Sequence, residues 1–328
     1  MDYYGTLGPA CNNVEILCEM IKEGMTGIRL NLSHGNLDDN KEYIYNLRKA
    51  EEITGIKMKL LIDIKGPELR IGKLKNNLTL VENENITLGE HGIPVPKIIF
   101  TVLEKNIKIL IDDGKILLSV ISVNNNSAVC NIERGGVLKS NKSIAIPECK
   151  IYIPTLTEDD KINISKAKEY DVAGVMLPFV RSKDDVLNLK NELLKNNCDD
   201  IKIFAKIENK DGIEKLDELM EYVDLFVIAR GDLGNSMNLW ELPVAQKIIS
   251  EKCVAKNKPF MVVTQMLDSM HNKKVPTRAE VLDIFNAVID GANSVMLTGE
   301  TAAGNYPVDA MKYLVKTGNE AVKYKNKQ

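Results

Sequence analysis

Residues 201–209 read IKIFAKIEN and residues 225–234 read LFVIARGDLG, and these two stretches decide the fold. Each is a short apolar run of the kind found in buried parallel strands, and each ends in charged residues. The same runs alternate with amphipathic stretches along most of the chain and predict eight strands, at residues 4–7, 27–31, 59–64, 172–178, 201–207, 225–229, 259–264 and 294–298. Eight such units predict a closed (β/α)8 TIM barrel rather than an open sheet.

Two of the intervening helices can be described in more detail. Thr157 and Asp160 have the spacing of a helix cap, which would begin the helix that leads into Ala167. Within residues 277–291, five apolar residues are predicted to form the buried face of another helix: Val281, Leu282, Phe285, Val288 and Ile289.

One interval interrupts the alternation of strands and helices. It contains no convincing helix, only strand-like runs separated by Asn and Gly: KIIFTVL at 97–103, KILIDDGKILLSVISV at 108–123 and SAVCNI at 127–132. We therefore predict an α/β protein in which residues 1–70 and 153–328 form the barrel and residues 71–152 form an inserted all-β lid domain. Insertions at the carboxyl end of a barrel lie over the active site, which is why a lid is expected.

The composition excludes several classes of function. Lys and Arg number 43 against 46 Asp and Glu, without long runs of one sign, so neither a nucleic-acid partner nor a polybasic membrane surface is expected. No stretch approaches the roughly 18 apolar residues of a membrane span, and the first residues lack the order of a signal peptide. The six scattered cysteines predict reduced thiols and a cytoplasmic location. Three histidines without zinc-site spacing leave oxygen ligands for any metal.

Polar residues at the carboxyl ends of the strands are the candidate site residues, because barrel active sites lie at that face. Lys206 and Glu208 are two apart on one strand and project from the same side. They can form an ion pair that fills the barrel. Alternatively, Glu208 and Asp232 can be carboxylate ligands of a hard cation such as Mg²⁺, with Lys206 offsetting the charge of a transferring group. Gly231 and Asp232 fit either a tight turn or an anion-binding helix start.

Other polar residues near strands two and three allow two interpretations each. Three oxygen-bearing residues fit a cation site or a hydrogen-bonded loop cluster equally well: Asn31, Ser33 and Asp63. Three basic residues fit phosphate binding or solvated surface charge: Arg29, Arg70 and Lys142. No G-x-G-x-x-G follows a strand and residues 135–143 depart from the P-loop pattern, so a nucleotide would be held in another way.

Eleven strings follow one another in a fixed order between residues 6 and 308: TLGPA, GMTGIRLNLSHG, DIKGPELRIG, IDDG, TLTEDD, AKIENKDGI, IARGDLG, AQKII, VTQMLDSM, PTRAEVLDIFNAVIDGA and VMLTGETAAGNYPV. The series resembles the pyruvate kinase family and covers almost the whole chain, which makes it far more specific than any single motif. The resemblance implies a barrel with an inserted β-domain. It also implies a glycolytic phosphotransferase that moves a phosphoryl group from phosphoenolpyruvate to ADP, giving ATP and pyruvate.

The resemblance further implies the roles of residues at the reacting centre. Glu208 and Asp232 match the ligands of Mg²⁺ or Mn²⁺, and Lys206 matches the residue that stabilises charge on the phosphoryl group and the enolate oxygen. Backbone N–H groups around Gly231 and Asp232, with the Thr264 hydroxyl, match the groups that take the substrate carboxylate. Protonation of the enolate is implied from the side of Thr264 and Thr298, through ordered water.

Two further sets of residues are implied by the same resemblance. The potassium site matches Asn31, Ser33, Asp63 and the carbonyl of Ile64. The nucleotide and phosphate positions match Arg29, Arg70, His34, Lys142, Thr6 and Pro9, of which Arg29 also counts among the catalytic residues.

The sequence departs from the family pattern in several places. Lys142 is followed by SIAIPE where the family has G-V-N-L-P-G, and NSMN follows GDLG where V-E-I-P is usual. Glu68 resembles the potassium-dependent branch, whereas Ile64 and Ile71 replace the threonines usual there. The family continues into a C-terminal domain with an effector site, so control through that domain is not expected here.

Three functions remain open on the sequence. The first is a pyruvate kinase with altered nucleotide handling. The second is a catalytically weak or inactive relative that binds phosphoenolpyruvate or another anion, and the third is a magnesium-dependent lyase or decarboxylase acting on a pyruvate-like acid. In each case the partners are small molecules, and a homo-oligomer through the barrel is compatible with all three.

Overall fold

The computed structural model describes residues 1–112, 114–147, 149, 151 and 153–327 of the chain. Within these ranges the strands are β1 (Asp2–Thr6), β2 (Gly27–Asn31), β3 (Lys59–Asp63), β4 (Leu78–Leu80), β5 (Asn85–Gly89), β6 (Lys108–Ile111), β7 (Ile116–Val123), β8 (Ser127–Arg134), β9 (Gly136–Leu138), β10 (Ile144–Ala145), β11 (Val172–Leu177), β12 (Lys202–Ile207), β13 (Leu225–Ala229), β14 (Phe260–Val263) and β15 (Ser294–Met296). The α-helices are α1 (Val14–Lys22), α2 (Lys41–Thr54), α3 (Glu158–Lys166), α4 (Lys183–Lys195), α5 (Lys210–Glu214), α6 (Leu216–Leu219), α7 (Arg230–Asn235), α8 (Leu242–Ala255), α9 (Arg278–Ile289), α10 (Gly299–Ala302) and α11 (Pro307–Lys325).

Eight of these strands form a closed barrel, in the order β1, β15, β14, β13, β12, β11, β3, β2. Every neighbouring pair in it is parallel. Apolar side chains from seven of the strands share one core cluster, among them Tyr4, Leu61, Met176, Phe204, Val227, Met261 and Met296. The predicted (β/α)8 barrel is therefore confirmed. The first strand begins at Asp2, two residues before its predicted start.

The chain divides into two compact units. One contains residues 1–66, 155–233 and the chain from residue 240 onward, and it includes the barrel. The other contains residues 67–154 and 234–239, with a five-stranded antiparallel sheet in the order β10, β6, β7, β8, β5 and a two-stranded sheet of β4 and β9. Alternate residues of β7, namely Ile116, Leu118 and Val120, are buried in its core. The prediction of an inserted all-β region is confirmed.

The run KIIFTVL is not a strand, contrary to the prediction. Lys97–Thr101 form a 3₁₀-helix, in which Ile99 N donates to Pro96 O at 3.2 Å. Ile99 and Leu103 are buried while Thr101, midway between them, is exposed, so burial does not follow the period of two of a strand. A short apolar run does not distinguish a strand from a buried helical turn by periodicity alone, which explains the error.

The two helices described from the sequence are both present. Thr157 and Asp160 form the expected capping box at the start of α3, and Thr277 caps α9. The predicted buried face of α9 is partly wrong, because Leu282 is 59% exposed and the buried residues are Ile284, Ala287 and Val288. Leu282 and Ile284 lie about 200° apart around a helix with 3.6 residues per turn, so they occupy opposite sides.

Asp160 gives a prediction about stability. It is fully buried, and its carboxylate accepts hydrogen bonds from Lys65 N at 2.8 Å, Gly66 N at 3.1 Å and Thr157 N at 2.8 Å. Asp160→Ala leaves these buried donors unpaired and removes the reciprocal half of the capping box, so we expect the free energy of unfolding to fall by about 3 kcal/mol or more. Urea denaturation checks this, with the exposed neighbour Asp159→Ala as control. Equal midpoints for the two variants would contradict the role of Asp160.

Two further expectations concern the environment of the protein. None of the helices in the described ranges combines the length and apolar content needed to cross a membrane. All six cysteines lie within these ranges as free thiols.

Candidate active site

A cluster of opposite charges lies at the carboxyl ends of β2, β3 and β12. Arg29 donates from Nε and Nη2 to Asp63 Oδ2, at 2.8 and 2.6 Å. Lys206 Nζ donates to both carboxylate oxygens of Asp63 at 3.2 Å. The side chains of Arg29 and Lys206 are each 13% exposed and that of Asp63 is 3% exposed. One buried carboxylate therefore orients two nearly buried cations.

Glu208 extends this cluster from the residue after the end of β12. Its carboxylate is fully buried, and Lys206 Nζ lies 3.0 Å from Oε1. Oε2 accepts a hydrogen bond from Phe179 N at 2.7 Å. Oε1 accepts no hydrogen bond from any described residue and takes part in the ion pair with Lys206. A buried carboxylate oxygen with spare acceptor capacity is suited to a cation.

Asp232, in the first turn of α7, acts electrostatically on both Lys206 and Glu208. Burial opposes the charge of Lys206, but Asp63 and Glu208 outweigh it, so the pKa of Lys206 is raised and the ammonium persists. Burial raises the pKa of Glu208 to about 7, and the carboxylates of Asp232 and Asp63 add to this against the opposing effect of Lys206. For Asp63, burial is outweighed by Lys206 and Arg29, which keep its pKa below the usual value.

The cluster contains side chains of both charges. Two cations, Arg29 and Lys206, face the three carboxylates of Asp63, Glu208 and Asp232. The described residues contain no group of three or more His, Cys, Asp or Glu side chains arranged around a metal position. Glu208 and Asp232 are only two carboxylates, and Mg²⁺ is commonly held by one or two carboxylates while it keeps several waters and shares its shell with phosphate.

Gly231 and Thr264 are brought together beside this cluster. A Cβ placed on Gly231 would lie 3.0 Å from Thr264 Cγ2, so only glycine leaves the Thr264 side chain undisturbed. Thr264 directly follows β14 and has φ +75, and Gln265 after it has φ +56. Two consecutive non-glycine residues in the left-handed region are uncommon, and such positions cluster at functional sites.

Thr298 lies after β15, and Glu300 fixes its orientation. Glu300 is 1% exposed and its Oε2 accepts from Thr298 N at 2.7 Å and from Thr298 Oγ1 at 3.2 Å. Its Oε1 accepts from Leu267 N at 3.1 Å, in the loop after β14. Glu300 therefore ties the loop that follows β14 to the loop that carries Thr298.

The residues matched to a potassium site lie partly together. Asn31 and Asp63 are paired across β2 and β3. Oδ1 of the Asn31 side chain accepts a hydrogen bond from Ser33 N at 3.1 Å. Ile64 follows Asp63 and its N–H donates to Met176 O at 3.3 Å. Both oxygens of Asp63 already accept hydrogen bonds from Lys206. The donor set is rich in oxygen, as K⁺ requires. Asp63 would have to bind K⁺ while its carboxylate also pairs with Arg29 and Lys206.

The residues matched to nucleotide positions in the barrel unit differ in exposure. Thr6 is 3% exposed and its hydroxyl donates to Leu297 O at 2.9 Å. Pro9, in the turn after β1, is exposed. His34 ends a short 3₁₀-helix, and its side chain lies outside the described part of the structure.

Arg70 and Lys142 belong to the second unit, and the strand-like pairing of Arg70 with Ser143 brings them together. Arg70 Nη1 donates to Asn141 O at 2.8 Å, and Nε donates to Glu68 Oε2 at 2.9 Å. Lys142 Nζ lies 2.6 Å from Asp112 Oδ1. Both basic side chains are therefore oriented by carboxylates within their own unit.

Two residues beside the site received no role from the sequence. Glu300 orients Thr298, as described above. Arg230 binds the Thr264 carbonyl through Nε at 3.1 Å and Nη2 at 2.8 Å. Both residues form hydrogen bonds with main-chain atoms. They were missed because a sequence motif does not show which carbonyl or N–H group a side chain reaches.

A family model and several known proteins that are similar to this chain all carry the name pyruvate kinase. The family model described as the pyruvate kinase barrel domain matches residues 2–311. The chain is similar to the pyruvate kinase of Geobacillus stearothermophilus, with 38% identity over 319 residues, which is 94% of this chain and 54% of the relative. It is also similar to those of Thermococcus litoralis, with 37% identity over 98% of this chain and 69% of the relative, and Clostridium acetobutylicum, with 35% identity over 96% and 69%. The chain thus spans little more than half of the first relative.

Proposed function

The chain belongs to the pyruvate kinase family, and from this premise we propose that it transfers a phosphoryl group from phosphoenolpyruvate to ADP, giving ATP and pyruvate. The observation that carries the proposal is the buried Lys206, held between Asp63 and Glu208 at the carboxyl end of the barrel. A fixed ammonium in a site of low dielectric stabilises negative charge that develops on a transferring phosphoryl group and on the enolate oxygen left behind.

We propose that Glu208 and Asp232 hold Mg²⁺ or Mn²⁺. Support for this donor set comes from the fully buried carboxylate of Glu208, which lies close enough to Asp232 for the two to interact electrostatically. When bound, the metal supplies Lewis-acid neutralisation of substrate oxygens. In this proposal the backbone around Gly231 and Asp232, with the Thr264 hydroxyl, takes the substrate carboxylate. Thr264 and Thr298 then direct a proton to the enolate through water.

The other matched residues complete the proposal. Arg29 is a catalytic, phosphate-facing group, and the nucleotide is bound by Arg70, Lys142, His34, Thr6 and Pro9. Asn31, Ser33, Asp63 and the Ile64 carbonyl bind K⁺. We also propose that the protein acts in the cytoplasm, in glycolysis, with small molecules as its partners and with the barrel available for self-association.

A coupled assay tests the proposed activity. Purified protein with phosphoenolpyruvate, ADP, Mg²⁺ and K⁺ should form pyruvate, and lactate dehydrogenase with NADH reports it. Binding of phosphoenolpyruvate in calorimetry without turnover would instead favour an anion-binding relative. Consumption of oxaloacetate without ADP would favour a lyase.

The raised pKa of Glu208 predicts how metal affinity depends on pH. With its pKa near 7, the side chain carries a proton in the metal-free protein at lower pH, and the metal must displace that proton. Mg²⁺ affinity should therefore fall as pH falls below about 7, approaching tenfold per unit, and level off above it. Calorimetry in buffers of different ionisation enthalpy measures both the affinity and the released proton. An affinity independent of pH would contradict the protonated state of Glu208.

The proposed potassium site predicts activation by monovalent cations. K⁺ at Asn31, Ser33 and Asp63 would place a positive charge near transferred phosphate oxygens, so we expect turnover in K⁺ to exceed turnover in tris buffer without Na⁺ or K⁺ by about 10-fold or more. Equal rates in the two buffers would contradict the site. Tetramethylammonium chloride at equal ionic strength is the control for screening.

A further inference from the structure

Thr264 is held in a conformation that its own residue type disfavours. A β-branched residue with φ +75 is a genuine outlier, and the left-handed conformation continues at Gln265 with φ +56. Such a conformation persists only where the surrounding structure determines it. The side chain of Thr264 has little freedom on one side, where its methyl group faces Gly231. The contacts of its main chain therefore decide where the hydroxyl lies.

The Thr264 carbonyl is bound by the guanidinium of Arg230. Nε donates to it at 3.1 Å and Nη2 at 2.8 Å, so two donors of one rigid plane converge on one oxygen. Nη2 also lies 3.0 Å from the sulfur of Met266, two residues farther along the same loop. Since Arg230 is only 12% exposed, water does not readily replace these donors.

Asp283, on α9, fixes the far edge of the same guanidinium. Its Oδ1 and Oδ2 each lie 2.8 Å from Arg230 Nη1. The Arg230 plane is thus held between a carboxylate of α9 and the carbonyl of Thr264. Arg230 also precedes Gly231 and Asp232 directly, so the residue that binds the Thr264 main chain begins the turn that contacts the Thr264 side chain.

We propose that Arg230 is a positioning residue that keeps Thr264 in its left-handed conformation and so sets the place of the Thr264 hydroxyl, with Asp283 orienting Arg230. The role in catalysis rests on the proposed phosphoryl transfer, in which Thr264 contacts the substrate carboxylate and the side from which the enolate is protonated. Arg230 contacts no reacting atom in this scheme. Arg230 affects the reaction only by binding the Thr264 carbonyl, which fixes the main chain of Thr264.

The test compares two arginines with matched contacts. Arg230→Met removes the donors to Thr264, and we expect kcat to fall about 100-fold, since misplacement of a positioned group by about 1 Å has an effect of this size. The exchange of pyruvate methyl hydrogens with solvent deuterium, which reports enolate protonation in reverse, should fall with it, whereas the KM for ADP should not change. Arg48 likewise pairs with a carboxylate, Glu51, and donates to the main-chain carbonyls of Tyr170 and Asp171. Arg48→Met should retain kcat.

Each outcome decides the proposal. Unchanged exchange in Arg230→Met, or equal losses in Arg230→Met and Arg48→Met, would overturn it. If Arg230→Met does not fold, Asp283→Asn replaces it, and we expect about a tenfold fall in kcat because a neutral amide holds the guanidinium more weakly. A wild-type protein without turnover would refute the proposed function alone. In that event a crystal structure of Arg230→Met decides the positioning role, and Thr264 still left-handed would refute it.

Discussion

Replacing Lys206 with methionine is expected to lower kcat for phosphoenolpyruvate and ADP by about 10³-fold, the range seen when a preorganised charge-stabilising group is removed. Lys206 is the cation shared by Asp63 and Glu208, and methionine keeps much of its apolar stem while removing the charge. The loss should appear in kcat more than in KM, because charge develops in the transition state and not in the bound substrate. Steady-state kinetics of the coupled assay measures it.

Lys202→Met is the matched control, because Lys202 lies on the same strand, β12, and pairs with Asp224 while 62% exposed. It should retain wild-type kcat. Thermal unfolding of both variants separates a chemical effect from a loss of fold, since removal of Lys206 also leaves Glu208 without its cation. If turnover is unchanged in Lys206→Met, the proposed catalytic role of Lys206 is wrong.

Glu208→Gln is expected to abolish tight metal binding and, with it, most of the activity. Glutamine keeps the shape and can accept the hydrogen bond from Phe179 N, but it lacks the charge at the oxygen that has no hydrogen-bond partner. Loss of outer contacts to a metal ligand already costs 10- to 100-fold in affinity, so loss of a ligand should cost at least about 100-fold. Mn²⁺ titration followed by electron paramagnetic resonance measures the affinity without requiring turnover.

Glu218→Gln provides the control for this experiment, because Glu218 is a partly exposed glutamate of α6 whose partner is Lys183. Its Mn²⁺ affinity and kcat should equal those of the wild type. Should Glu208→Gln bind Mn²⁺ as tightly as Glu218→Gln does, the metal ligands must be sought elsewhere in the chain.

The barrel could be predicted because its signal is repeated. Eight apolar runs at similar spacing support one another, and an error of one or two residues at an end, as at Asp2, does not change the topology. Single elements lack this redundancy. Within the run KIIFTVL, Lys97–Thr101 form a 3₁₀-helix that buries Ile99 and exposes Thr101, and Leu282 is exposed because helix α9 turns another face inward. Neither the 3₁₀-helix nor the buried face of α9 follows from the local sequence alone, because tertiary packing selects which side of an element is buried.

The site was predictable as far as strand ends determine it. Lys206, Glu208 and Asp232 could be grouped because parallel strands end at one face of a barrel. The sharing of Asp63 by Arg29 and Lys206 could not, because side-chain conformations decide which cation a carboxylate meets. The roles of Arg230 and Glu300 depend on loop carbonyls and N–H groups, whose positions follow from the left-handed turn at Thr264 and not from any residue pattern.

Phosphorus-31 NMR follows the transferred atom itself and therefore tests phosphoryl transfer most directly. With purified protein, phosphoenolpyruvate, ADP, Mg²⁺ and K⁺, the phosphoenolpyruvate resonance should decline while the γ-phosphorus of ATP appears in equal amount, and Lys206→Met should slow both changes together. A phosphoenolpyruvate signal that persists, or one replaced by inorganic phosphate without ATP, would contradict phosphoryl transfer to ADP at this site.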